Sequence, residues 1–74
     1  MLYTRSSFIR WLTKVKGCDV QPVRHSNAFI ITNGIASAYM WVNPQDRIDY
    51  EEIQILCQKI YLELPGDKDL KKAE

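Results

Sequence analysis

The chain is poor in the residues that usually announce a chemistry: two cysteines, three glycines, three prolines and one histidine in 74 residues. Cys18 and Cys57 form neither a CxxC pair nor a disulfide framework, and His25 lacks the companions that a zinc site needs. A single Cys18–Cys57 bridge would require a secreted chain. No apolar run approaches the length of a membrane span, and the start has no apolar leader core or small-residue cleavage site. The expectation is therefore a cytoplasmic chain with no metal, no cofactor and no membrane. Internal repeats and low-complexity segments are also absent. Neither sign of charge dominates, since ten basic residues face nine acidic ones. A net +1 is a weak footprint for a nucleic-acid binder.

What is present is a domain's worth of apolar residues. An apolar content of 46% with 26% charge fits one small globular domain with a thin core. That domain is expected over residues 1–66, followed by a charged flexible tail over 67–74. Such a small core is often supported by oligomerisation. The charges are uneven: residues 1–25 carry five basic residues against Asp19 alone, while 26–74 carry five basic against eight acidic.

Phe8, Trp11, Leu12 and Val15 follow the i, i+3, i+4, i+7 rhythm of a buried stripe, which predicts a helix over 4–16. Ser6 or Ser7 is suited to cap its start, and Gly17 to end it. Residues 18–25 predict a first strand, kept at an edge by Pro22, which cannot donate to a ladder. Asn33-Gly34, between two β-rich runs, predicts a hairpin with this pair at the centre of a type I′ turn. Asp49 through Glu52 has the spacing of a capping box. It opens a second helix with the stripe Tyr50, Ile53, Leu56, Cys57, Ile60 and Leu64, stopped by Pro65-Gly66. The order is α-β-β-β-α, an α+β domain with a three-stranded antiparallel sheet and both helices on one face.

The expected hairpin register pairs Phe29 with Ala38 and Ile31 with Ala36. It sorts Phe29, Ile31, Ala36, Ala38, Met40 and Val42 onto the helix-covered face. The other face keeps Ala28, Ile30, Thr32, Ile35, Ser37, Tyr39 and Trp41. A face covered by nothing should be polar, so Ile30, Tyr39 and Trp41 read as partner-binding residues. Ile55 and Leu62, expected on the outer side of the second helix, extend that reading to a second contact. Another protein or a second copy, as a homodimer, is the expected partner of a non-enzymatic interaction module.

The stretch Arg24-His25-Ser26-Asn27 at the start of the second strand, with the α-β-β-β-α order from Ser6 to about Leu62, resembles the HicA-type toxin family. That resemblance implies a double-stranded-RNA-binding-like fold and RNA cleavage in partnership with an antitoxin. The family motif is Gly-Ser-His; here Ser26 keeps its place, His25 stands at the Gly and Asn27 at the catalytic His. Asn cannot serve as a general acid or base near neutral pH. The resemblance thus carries the fold further than the activity. The alternative function is an RNA-binding or RNA-cleaving domain, with Arg5, Arg10, Lys14, Lys16, Arg24 and His25 toward the RNA. No nucleophile or orienting carboxylate is spaced to make His25 the base of a hydrolase.

Overall fold

A computed structural model describes residues 1–73. Short strand β1 (Leu2–Tyr3) leads into helix α1 (Arg5–Arg10), which continues as a π-helical turn over Trp11–Val15. Strands β2 (Asp19–Pro22), β3 (Ala28–Thr32) and β4 (Ser37–Trp41) follow, then β5 (Ile48–Asp49) and helix α2 (Tyr50–Lys59). β2, β3 and β4 form an antiparallel sheet in that order, and β1 pairs with β5 in a second, two-stranded one. Ile31, Ala38 and Met40 of the larger sheet join Phe8, Trp11 and Leu12 of the first helix and Ile53, Leu56, Cys57 and Ile60 around the second in one core. The expected α+β architecture is present, and both helices lie on one face of the sheet.

Local chemistry explains the element ends. Thr4, rather than Ser6 or Ser7, caps α1: its Oγ1 accepts the Ser7 N–H. Asp46 supports the same helix start, taking the Ser6 N–H on Oδ1 at 2.8 Å and the Ser6 hydroxyl on Oδ2 at 2.6 Å. The Ser6 hydroxyl, outweighing partial burial, holds the Asp46 carboxyl below the usual carboxylate range. After Arg10 the Lys16 N–H reaches back five residues to Trp11 O, and Gly17 exits in the left-handed region at φ +68°. That wider turn takes an extra residue and breaks the 3.6-residue phase. Val15, expected in the buried stripe, is 64% exposed as a result.

The β3–β4 turn is centred one residue later than expected. Asn33 N–H donates to Ala36 O, so Gly34 and Ile35 are the central pair, and only Gly34 of these has positive φ. This is the sign pattern of a type II′ turn, with glycine at its first central position. The Asn33 side chain makes the choice: its Oδ1 accepts the N–H groups of Ile35 and Ala36, and its Nδ2 donates to Ile60 O at the end of α2. Phe29 consequently pairs with Met40 and Ile31 with Ala38. A step of two residues is one full side-chain period, so each side chain keeps its expected face.

Asp49 caps α2 through Oδ1 to the Glu51 N–H. The helix ends at Lys59, five residues short of the expected Leu64, because Tyr61 turns into the left-handed region at φ 59°. Leu64 is exposed, and Leu62, expected on the outer side of the helix, lies beyond its end and against the core. Residues 67–73, expected as a tail, reach the other end of the chain. Leu70 is buried in the core, Lys72 bridges Tyr3, and Lys71 O accepts the Thr4 N–H at 2.7 Å. Glu74 lies outside the described residues.

Candidate functional site

The uncovered sheet face is built by alternation. Gln21, Ile30 and Tyr39 lie in one row of the register, and Asp19, Thr32 and Ser37 in another. The face is graded: β2 presents Asp19 and Gln21, joined side chain to side chain at 3.0 Å, whereas β4 presents rings. Tyr39 is 58% exposed and Trp41 68% exposed, neighbours two positions apart on the same strand. Ile30 between them and β2 is half-buried, and Ala28, opposite Trp41, is buried although it lies outside the core. Ile35 at the turn is almost fully exposed.

β2 and β4 are both edges, yet they differ in protection. Antiparallel pairs alternate between bonded and non-bonded positions. Val23 N–H bonds Ala28 O, so Pro22 falls at a non-bonded position and its missing N–H faces the free edge, as the sequence anticipated. Val42 N–H bonds Asn27 O across the other ladder. By the same alternation Ser37, Tyr39 and Trp41 direct their backbone N–H and C=O groups away from β3. Ser37–Trp41 has no charge, proline or glycine to blunt that edge.

The expected RNA-facing residues do not converge. Arg5 is committed to the loop after β4, with its guanidinium on the carbonyls of Asn43 and Gln45 and on Asn43 Oδ1. The Lys16 ammonium lies 5.6 Å from the Trp11 ring centre. Arg24 and His25 occupy the turn between β2 and β3, not a strand, and His25 adopts a left-handed φ of 60°. Arg10 and Lys14 do acquire company from elsewhere: Lys68 and Lys71 share a groove with them. Adjoining hollows run from Arg10 past Lys71 to Arg47 and Lys72. This basic strip escaped the sequence reading because residues 67–74 were expected outside the domain. Leu70 inside a charged stretch was its available signal, since one leucine flanked by Lys68, Lys71 and Lys72 anchors their backbone.

Ile55 stands exposed on α2. Both cysteines are free and buried. Burial pushes the Cys57 thiol up to about 11 and also raises Cys18. A buried neutral thiol is a poor nucleophile, so neither cysteine is set up for covalent chemistry. Burial, reinforced by Asp49, raises the Glu52 carboxyl. Among the described residues no group of three His, Cys, Asp or Glu side chains is placed to hold a metal ion. None of the described helices is long and apolar enough to cross a membrane. Among the described residues the exposed side chains thus gather in an aromatic face on β4 and a basic groove beside the first helix. Compared with protein-family models, curated proteins and solved structures, the chain matches none.

Proposed function

We propose that this chain is a small, non-enzymatic protein-interaction module, and that its simplest partner is a second copy of itself joined along β4. The observation that carries the reading is an edge strand with Tyr39 and Trp41 exposed and no device against pairing. Antiparallel pairing of two β4 strands about Tyr39 would place Trp41 of each copy beside Ser37 of the other, an isologous contact that closes on itself. Backbone ladder bonds would supply affinity and the rings specificity. Two free, buried cysteines fit a reducing, cytoplasmic setting.

Sedimentation velocity over a concentration series tests this. The wild type is expected to move from monomer to dimer. Trp41→Ala, at an exposed position that leaves the fold intact, should lose about 2 kcal/mol of dimer affinity. Wild type that stays monomeric throughout, or a Trp41→Ala dimer as tight as wild type, overturns the reading.

A HicA-like RNA-binding domain is the second reading. The observation in its favour is the left-handed backbone of His25, a conformation suited to the glycine that the family motif has there. Gel-shift titration against salt with Arg24→Glu is its test, and no retardation at about 50 mM salt removes it.

A further inference from the structure

The groove between the first helix and the C-terminal segment has two chemistries at once. Its apolar floor is the exposed Val15, with the largely buried Trp11 and Leu70 beneath it. Its rim is basic, with Arg10 and Lys14 from the helical side and Lys68 and Lys71 from the other. Asp69 also lies on the rim, its Oδ2 taking the Gly66 N–H at 2.8 Å, so four basic side chains face one acidic one there. The floor exists because the π-helical turn puts Val15 outside the core, where an uninterrupted α-helix would have buried it. Turns of this kind recur at functional sites. A volume of about 420 Å³ accommodates a few side chains.

We infer that this groove docks an acidic peptide segment carrying apolar side chains, with its carboxylates on Arg10, Lys14, Lys68 and Lys71 and its apolar groups on Val15, Trp11 and Leu70. The combination selects against a bare phosphate chain, which would gain from the lysines and nothing from an apolar floor. It also selects against a neutral peptide, which would leave four cations unused. The site lies on different elements from β4 and does not depend on β4 pairing.

Trp11 lines the groove and Trp41 is the chain's other tryptophan, so Trp41→Phe leaves a single fluorescent reporter. The probes are a synthetic peptide of glutamates and leucines in helical spacing, the same peptide with serine for leucine, and polyuridylate RNA. The leucine peptide is expected to change Trp11 emission saturably. Val15→Ser and Lys14→Glu should each weaken it by at least about tenfold, or about 1.4 kcal/mol. Lys68→Glu, on the opposite rim, gives the same reading if Lys14→Glu misfolds by circular dichroism. No saturable change with the leucine peptide overturns the inference. Serine peptide or RNA binding as tightly, or variants binding like their parent, also overturns it, by making the groove an unselective polyanion patch or no site at all.

Discussion

Tyr3 is 2% exposed, yet its hydroxyl reaches the Asp67 carboxylate at 2.5 Å, 64 positions along the chain. The hydrogen bond to Asp67, then burial, then the nearby negative charge raise the phenol from 10.0 to about 12. A raised value in the folded state means that the folded chain holds this proton more tightly than the unfolded chain. The stabilisation is complete below pH 10 and disappears as pH climbs to about 12. Urea unfolding at stepped alkaline pH should therefore show wild type losing stability through this window faster than Tyr3→Phe, which has no proton to lose. Parallel curves for the two proteins would mean that the hydroxyl titrates as it does in water.

At the scale of elements, the first helix is where periodicity and structure part company. Leu12 is fully buried, and Val15, three residues on, is 64% exposed. Leu12→Ala is expected to cost about 2–5 kcal/mol by emptying core volume. Val15→Ser should stay within about 0.5 kcal/mol, as a surface change does. Thermal unfolding of the two variants checks this, and a costly Val15→Ser would restore a regular helix with one continuous buried stripe. The order of the two helices and the three-stranded sheet was legible beforehand because caps and breakers are local: Asp49, Gly17 and Pro22 act where they stand. The β1–β5 pair was not, because it joins two-residue strands 46 positions apart, too short to show a periodicity. The sorting of side chains paired between β3 and β4 was legible too, since side-chain alternation survives a two-residue change of register, although Ala28 on the open face is buried and Ile35 sits in the turn itself. The register itself was not, because it depends on Asn33 reaching Ile60 O, a contact 27 positions away. The early end of α2 was equally hidden, because nothing in Tyr61 as a residue type announces a left-handed backbone. For the candidate site, Tyr39, Trp41 and Ile55 were readable as exposed apolar side chains. Leu62 was not, since its placement follows from that unannounced helix end.

For the molecule as a whole, the two ends of the chain brace each other. β1 pairs with β5 on one side through Leu2 and Tyr3, and Tyr3 also bridges Lys72. Ala73 N–H donates to Leu2 O, Lys71 N–H to the Ser7 hydroxyl, and Leu70 completes the core between them. A domain of this length buries only about 60% of the surface its unfolded chain exposes, so one buried leucine is a large share of its margin. Leu70→Ala is expected to cost about 2–3 kcal/mol by transfer and cavity terms. Removal of residues 66–74 should cost more, because it strips the Tyr3 hydroxyl of Asp67 and the Thr4 N–H of its carbonyl partner as well. Both should lower the urea midpoint, and only the truncation should reduce the slope of the transition, since it alone shortens the chain that becomes exposed. A truncated chain that unfolds at the wild-type midpoint would separate residues 66–74 from the folding unit. The basic groove would then lose the wall that Lys68, Leu70 and Lys71 provide, so this measurement bears on the integrity of the site as well as of the fold.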